Sequence, residues 1–321
     1  MIDTNDDLKP IEDVNIIRSG MLDVGDGHQL YWVDWGNKDI TEPIFYLHGG
    51  PGGGFDEKSF RRFDPKKHRV VFHDQRGAGR STPFASIEHN TSQDLVEDIN
   101  KLRNELGFDK ISLCGYSWGA TLALLYGITH PQNVQKMLIG GIFLARKVDN
   151  DFYLKGRIAS HFPDVWERFS SLVPAAERDN VGEYYKKILF GKDEAKRKEF
   201  AREWARYESS IVKMDYVPAN VEGDLKDFSA ESLSYLEAHY ILNDCFLEKN
   251  YILKNADKLK DIQIVIVQGR YDFICMPSAA FDLGRALGDD AILHLVPAGH
   301  HGDAILREVL QAYTTMLWPA K

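Results

Sequence analysis

The chain of 321 residues contains little cysteine and no long apolar run. Its three cysteines, Cys114, Cys245 and Cys275, are far apart and lack metal-ligand spacing. An odd number of widely spaced cysteines argues against a disulfide framework or a zinc site, and predicts reduced thiols. No apolar stretch approaches the roughly 18 residues of a membrane span, and the N-terminus lacks a basic start followed by an apolar core. We therefore expect a cytoplasmic protein.

Basic residues are also in deficit. Lysine and arginine total 39 against 48 aspartate and glutamate, for a formal net charge of −9. This balance, with no dense basic run, argues against nucleic acid or an anionic membrane as the main partner. The composition of 44 % hydrophobic and 27 % charged residues is ordinary for a globular protein. Small molecules or peptides are the expected partners.

Apolar runs of strand length alternate with helical patterns in the rest of the chain. Each run ends in a glycine-bearing loop, and the runs cover residues 43–50, 68–77, 110–117, 134–143, 261–270 and 291–300. A helical pattern such as "SQDLVEDINKLRNELG" separates two of them. This alternation predicts an α/β fold, a mainly parallel sheet with helices on both faces and ligands at the carboxyl ends of its strands.

The interval 143–260 interrupts this alternation. It is rich in aromatic and charged residues in helical patterns and contains no convincing buried strand. A crossover between neighbouring parallel strands needs only about a dozen residues, so the rest predicts an inserted helical cap over the strand ends. We expect a core of residues 1–145 and 251–321, and a cap of residues 146–250.

The stretch "LCGYSWGATLALLYGITHP" places Ser117 between Gly115 and Gly119, after a predicted strand and before a helix that ends near Gly127 and Pro131. In a sharp strand-to-helix elbow the serine takes a strained backbone conformation, and only glycine fits two positions before and after it. Ser117 is therefore the candidate nucleophile.

A serine nucleophile needs a histidine base and a carboxylate that orients it, in the chain order Ser, Asp or Glu, His for elbow-type hydrolases. Asp272 follows the strand "IQIVIVQGR", and His300 follows the next one, "AILHLVPAGH". All three residues are thus expected at one edge of the sheet. His301 is the alternative base, and we prefer His300 because it directly follows "PAG".

A hydrolase of this type also needs an oxyanion hole. The backbone N–H of Trp118, directly after the serine, is one expected donor, and the loop "HGGPGGG" supplies Gly50 as the other. The alternative for that loop is a turn that needs positive φ angles. We expect His48 and His73 to brace loops and Asp74 to tie its loop to nearby arginines.

Together the motifs resemble the proline iminopeptidases of the α/β-hydrolase fold. The segments that carry the resemblance are "HGGPG", "DQRGAGRS" (74–81), "SWGATLAL" (117–124), "GRYDFIC" (269–275) and "AGH" (298–300) in the core, with "FPDVWERF" (162–169), Trp204 to Glu208 and "LEAHY" (236–240) in the cap. The resemblance implies a serine aminopeptidase that releases an N-terminal residue, typically proline, from a small peptide with a free N-terminus. It implies no metal and no organic cofactor.

The resemblance also implies a substrate site. Glu208 and Glu237 would bind the free α-amino group, and Phe143, Tyr153 and Cys275 would surround the first side chain. Helical periodicity separately places both glutamates on or beside apolar faces, where a carboxylate needs a cation. The alternative is a structural ion pair with a cap arginine, such as Arg157 or Arg202.

The chain departs from the family pattern in two places, and the second, at Gly140, puts substrate selectivity in doubt while leaving the catalytic residues in place. Tyr116 and Ala120 stand in the elbow where the family usually has glycine and serine, and Gly140 replaces an arginine after the next strand. Two other functions stay open at this stage. One is an esterase or amidase acting on a small non-peptide substrate, and the other is a catalytically silent binding protein of the same fold.

Overall fold

The computed structural model describes residues 9–214, 217, 221–222, 225 and 230–319. Eight strands, β1 to β8, span Ile16–Gly25, His28–Gly36, Ile44–Leu47, Arg69–His73, Ile111–Tyr116, Val134–Gly140, Gln263–Gly269 and Ala291–Val296. The last six coincide with the six apolar runs of the sequence, so these strand predictions are confirmed.

The strands form one sheet in the order β1-β2-β4-β3-β5-β6-β7-β8. The pairs β1–β2 and β2–β4 are antiparallel, and every other pair is parallel. The mainly parallel sheet is therefore as predicted. Its parallel part brings the carboxyl ends of β5, β7 and β8 to the same edge.

The antiparallel hairpin of β1 and β2 was not predicted. Its turn, Gly25-Asp26-Gly27, has positive φ angles of 88°, 56° and 79°. Asp-Gly with positive φ angles is a strong hairpin signal. The strand β1 is mostly exposed, so it lacks the continuous apolar run that marks the other strands.

Helices cover both faces of the sheet. Eleven α-helices, α1 to α11, are present in the described residues: Glu57–Phe60, Ser92–Glu105, Trp118–Thr129, Lys147–Leu154, Pro163–Ser171, Val181–Leu189, Glu194–Ile211, Ala230–Ile241, Tyr251–Lys254, Pro277–Leu287 and Ala304–Leu317. Helices α2, α3 and α10 bury apolar side chains on one face, while α1 and α11 do so on the other. Side chains of successive strand residues, such as Leu138 and Ile139, enter opposite cores because a strand alternates its faces.

Helix α3 is buried from Trp118 to Ile128, which explains why this helix is apolar on every side. It continues through Gly127 and ends at Thr129, between the two residues, Gly127 and Pro131, near which its end was predicted. A Cβ atom at Gly127 would lie 2.3 Å from Cε of Met137 on β6. The glycine thus serves close packing of the helix on the sheet rather than helix termination.

The segment between β6 and β7 contains helices α4 to α9 and, in its described residues, no strand. It has an apolar core of its own, with Phe169, Tyr185, Trp204 and Tyr207 at its centre. The rings of Phe169 and Tyr207 are stacked at a centroid distance of 4.2 Å. Across the described chain, no helix combines the length and apolar character needed to cross a membrane.

Candidate active site

Ser117 joins β5 to α3 with backbone angles φ 58° and ψ −127°. A residue other than glycine seldom adopts a positive φ, so the backbone here is strained. The N–H of Ser117 donates to the carbonyl of Gly140 at 2.9 Å, which ties the turn to the neighbouring strand β6. The side chain is thereby held at the carboxyl edge of the sheet.

The two glycines around Ser117 are required by close contacts. A Cβ atom at Gly115 would lie 2.3 Å from the carbonyl oxygen of Gly119, and one at Gly119 would lie 2.0 Å from that of Leu47. Both distances are far below van der Waals contact, and the atoms that would be approached belong to backbone that cannot easily move. The elbow predicted from the Gly-x-Ser-x-Gly spacing is therefore the observed local structure.

Asp272 and His300 lie in the loops after β7 and β8 and form a hydrogen bond. Nδ1 of His300 is 2.8 Å from Oδ2 of Asp272. The backbone N–H groups of Ile274 and Cys275 donate to Oδ1 of the same carboxylate, at 2.9 and 2.8 Å. The buried carboxylate is thus fixed on one side and orients the imidazole on the other.

The electrostatic balance at His300 favours its charged form. Burial lowers the imidazole pKa, but the charge and hydrogen bond of Asp272, together with the charge of Glu208, raise it, and the net pKa is above the ordinary value. His301 does not contact Asp272; its side chain is exposed, and its backbone N–H donates to the carbonyl of Val212. Within the described part of the chain, His300 is the one of the two histidines with the carboxylate partner that a catalytic base needs.

Gln268 is a buried polar residue near the end of β7 that the sequence analysis did not identify. Its Nε2 donates to Oδ2 of Asp272 at 3.0 Å and to the carbonyl of Cys275 at 2.9 Å. Its Oε1 accepts from the N–H of Ile142 at 2.8 Å. A glutamine within the apolar run "IQIVIVQG" was the available signal, because a buried polar side chain needs partners.

Gly50 and Trp118 line the same pocket as Ser117. Gly50 has φ 110°, and a Cβ atom there would lie 2.7 Å from the backbone nitrogen of Gly53. Trp118 is the first residue of α3, where backbone N–H groups lack intrahelical partners and the helix dipole favours negative charge. This placement suits both backbones to the predicted role of oxyanion donors.

The pocket at Ser117 has an empty volume of about 420 Å³. All five residues expected around the substrate line it, and so do several that were not predicted. Its lining consists of Gly50, Pro51, Ser117, Trp118, Phe143, Asp149, Asn150, Tyr153, Glu208, Glu237, Ile241, Ile274 and Cys275. Sγ of Cys275 is 3.9 Å from Oγ of Ser117, so this thiol borders the candidate nucleophile directly.

Glu208 and Glu237 project into this pocket from helices α7 and α8. The hydroxyl of Tyr153 donates to Oε2 of Glu208 at 2.5 Å, and the indole N–H of Trp204 donates to Oε2 of Glu237 at 2.7 Å. Burial raises the pKa of both carboxyl groups, and the nearby charge of Glu208 raises that of Glu237 further. Both glutamates thus have neutral hydrogen-bond donors.

Among the described residues this pair has no lysine or arginine partner, and the positive charge that lowers the pKa of Glu208 is that of the His300 imidazole. Within the described part of the chain, no lysine or arginine forms a salt bridge with Glu208 or Glu237. Arg202, which was considered as a structural partner, pairs instead with Glu222, and Arg157 is exposed. A third carboxylate of the pocket, that of Asp149, differs from these two in having an arginine partner.

That third carboxylate, Asp149, is neutralised within the protein. Arg146 pairs with it through Nε and Nη2, at 3.0 and 2.9 Å. The pocket therefore combines one carboxylate paired with an arginine and two that have no lysine or arginine partner in the described part of the chain, and the latter are suited to a ligand that carries a positive charge.

Of the three residues set aside in the sequence analysis, His48 and Asp74 behave as expected, whereas His73 makes no hydrogen bond with the described residues that would brace a loop. Nε2 of His48 accepts from the N–H of Gln75 at 3.0 Å, so this histidine braces two loops. Asp74 accepts from the backbone N–H and the guanidinium of Arg80, at 2.8 and 3.0 Å. Neither residue lines the pocket at Ser117. His73 is buried, and its Nδ1 has no hydrogen-bond partner among the described residues.

The sheet order, the serine elbow and the Asp–His pair at the strand ends define a hydrolase of the α/β-hydrolase fold. A family model described as alpha/beta hydrolase fold matches residues 42–302. Among solved structures, a proline iminopeptidase-related protein from Thermus thermophilus superposes with a TM-score of 0.62 at 22% sequence identity, covering 95% of this chain and 99% of that one. At this identity the likeness concerns the fold.

Sequence comparison gives the narrower family. The proline iminopeptidase of Arabidopsis thaliana is 40% identical over 284 residues, which are 88% of this chain and 74% of that protein. The proline iminopeptidase of Xylella fastidiosa (strain 9a5c) is 38% identical over 296 residues, 90% of this chain and 92% of that protein. The chain belongs to the proline iminopeptidase family, and the predicted resemblance is confirmed.

Proposed function

We propose that this protein is a serine aminopeptidase that releases an N-terminal residue, with proline preferred, from small peptides. The observation that carries the proposal is the pair of glutamates in the pocket of Ser117, for which the described residues supply no lysine or arginine partner. A charge out of water is costly to leave unpaired, and the α-ammonium group of a peptide would supply the partner. Family membership supports the same substrate class.

The candidate triad supplies the chemistry. The hydroxyl oxygen of Ser117 attacks the first peptide carbonyl while His300 takes its proton through Nε2, because Nδ1 is engaged by Asp272. The N–H groups of Gly50 and Trp118 stabilise the oxyanion. When the C–N bond breaks, the imidazolium returns the proton to the leaving amine, and an ester of Ser117 with the first residue remains.

Water then completes the cycle. His300 removes a proton from the water as it attacks the ester, and returns it to Oγ of Ser117 as the first residue departs. No step requires a metal or an organic cofactor. The two glutamates lie in the cap segment and hold the amino end of the substrate, so they set the position of the scissile bond at the first residue.

The pocket shape supports a compact first residue. Phe143, Tyr153 and Ile241 supply apolar surface, and Cys275 closes the pocket near Ser117. A pyrrolidine ring presents apolar carbon to such a surface and carries its cationic nitrogen within the same ring. We extend the proposal to the cytoplasm as the place of action, since the three cysteines are free thiols.

A panel of aminoacyl arylamides with free and acetylated amino groups tests the proposal. Free prolyl arylamide is expected to be the best substrate, and its acetylated form to be hydrolysed far more slowly. Equal turnover of both forms would indicate an esterase or amidase instead. Ser117→Ala is expected to abolish turnover and labelling by a serine-directed phosphonate, and labelling at another serine would refute the assigned nucleophile.

A further inference from the structure

The aromatic ring of Tyr116 packs against the imidazole of His300. Their centroids are 5.4 Å apart, and the ring planes form an angle of 62°. Tyr116 is the last residue of β5 and directly precedes Ser117, so one short segment carries both the candidate nucleophile and a contact with its candidate base. Edge-to-face aromatic contacts of this kind restrict the orientation of both rings.

Two glycines of the neighbouring chain segment make room for the Tyr116 ring. A Cβ atom at Gly140 would lie 2.5 Å from Cε2 of Tyr116, and one at Gly141 would lie 2.4 Å from Cε1. The Cβ at Gly141 would also lie 3.0 Å from Cε1 of His300. The imidazole is thus bounded by the Gly141 backbone and the Tyr116 ring together.

Gly140 has a second constraint. A Cβ atom there would lie 2.1 Å from the carbonyl oxygen of Val267 on β7. No side chain fits at position 140 with this strand spacing, whereas Tyr116 occupies the space beside it. The two departures from the family pattern noted in the sequence, at Tyr116 and Gly140, are therefore one packing unit.

The hydroxyl group of Tyr116 does not explain why a tyrosine occupies this position. Its oxygen is buried and has no hydrogen-bond partner among the described residues. Burial raises the pKa of the phenol well above its ordinary value, so the hydroxyl stays protonated. An unpaired buried hydroxyl is unfavourable, which leaves the contact of the ring as the useful property of the side chain.

We propose that Tyr116 is a positioning residue for the hydrolytic reaction, and that its ring holds the His300 imidazole in the orientation that accepts the proton of Ser117. The inference rests on the proposed roles of Ser117 and His300. Asp272 constrains the imidazole at Nδ1 through a hydrogen bond, and Tyr116 constrains it by packing against the ring. Displacing the base lowers the rate of the chemical step and leaves the affinity for the substrate largely unchanged.

Three variants test the assignment. Tyr116→Phe keeps the ring, whereas Tyr116→Leu and Tyr116→Ala remove it, and Leu retains apolar volume so that the fold is kept. For Leu and Ala we expect kcat on prolyl arylamide to fall by about 10-fold or more, with KM within about 2-fold. Tyr116→Phe is expected to retain kcat within about 2-fold.

The rate of inactivation by a serine-directed phosphonate is measured in parallel, because it needs an activated Ser117 but no peptide recognition. It should fall for Leu and Ala and persist for Phe. If the unaltered protein is labelled but does not hydrolyse prolyl arylamides, the substrate proposal fails, whereas the labelling rates still test the role of Tyr116. Absence of labelling in the unaltered protein would overturn both.

Tyr46→Ala is the matched control. Tyr46 is a partly buried aromatic residue on the adjacent strand β3, and its ring contacts Phe63 and Phe72 rather than His300. It should lose stability but keep its labelling rate per folded molecule. The assignment is overturned if Tyr46→Ala loses as much rate, if Tyr116→Leu keeps full rate, or if Tyr116→Phe loses as much as Tyr116→Leu.

Discussion

The indole N–H of Trp204 donates a 2.7 Å hydrogen bond to Glu237, joining helices α7 and α8 at the pocket of the candidate nucleophile. Trp204 is fully buried, and Glu237 is 3% exposed. A neutral donor satisfies one carboxylate oxygen without cancelling the charge. Glu237 thus remains available to a cationic group, at a cost to the folded state that a ligand can offset.

The first prediction concerns the charge of the two glutamates. Glu237→Gln and Glu208→Gln should each lower kcat/KM for free prolyl arylamide by about 10-fold or more, equivalent to about 1.4 kcal/mol, because each removes a partner of the ammonium group. Hydrolysis of a simple activated ester should change far less. Glu203→Gln is the control, since Glu203 pairs with Arg168 and Arg206 away from this pocket. Equal losses in the control would contradict the assignment.

The second prediction concerns stability and pH. Burial and the charge of Glu208 raise the pKa of Glu237 in the folded state, so its deprotonation costs more free energy there than in the unfolded chain. The resulting stabilisation is fully present below the ordinary glutamate pKa and is lost as pH rises through the folded-state value. Glu237→Gln should therefore raise Tm by about 2 °C or more at pH 8, and less at pH 4. Thermal unfolding followed by circular dichroism at both pH values measures this, and a lower Tm at pH 8 would refute the linkage.

The third prediction separates two adjacent histidines. His300→Ala should lower kcat by about 10³-fold or more, since the base of the triad is lost. His301→Ala serves as the matched control and should cost much less, because that side chain pairs with no carboxylate among the residues that the structure describes. Steady-state kinetics on prolyl arylamide measures both effects. A larger loss in His301→Ala than in His300→Ala would assign the role of base to His301.

The fourth prediction is the acid limb of the pH profile. The base must be neutral to accept the proton of Ser117, and although burial lowers the pKa of His300, Asp272 and Glu208 together raise it above the ordinary value. In the free enzyme kcat/KM should therefore fall as pH drops, with an apparent pKa above the ordinary histidine value of about 6.5. Asp272→Asn should lower kcat strongly, because the imidazole loses the partner that orients it. An acid limb below about pH 6 would contradict this account.

The fifth prediction concerns Gln268. Gln268→Met has similar volume but leaves Asp272, Ile142 and Cys275 without hydrogen bonds that they now make. We expect a loss of about 1–3 kcal/mol in the free energy of unfolding and a fall in kcat of about 10-fold. Gln263→Met is the control, because Gln263 is exposed at the start of the same strand. Urea denaturation and kinetics test both, and full activity of Gln268→Met would show that Asp272 needs no such support.

The sequence alone determined the parallel strands and the elbow at Ser117. Buried strands need continuous apolar residues, and the glycines around Ser117 are required by close backbone contacts. Both features can therefore be recognised in short stretches of sequence. Asp272 and His300 were predictable for a related reason. The carboxyl ends of parallel strands meet at one edge, and chain order then leaves few choices for the carboxylate and the base.

Other features were decided only by the tertiary structure. The strand β1 exposes much of its surface and pairs by backbone hydrogen bonds, which leave little trace in side-chain pattern. The partner of Glu208 is Tyr153, and the partner of Glu237 is Trp204. Each partner lies on a different helix from the glutamate that it contacts. Periodicity places a carboxylate on an apolar face, but only the packing of several helices determines whether a hydroxyl, an indole or an arginine meets it there.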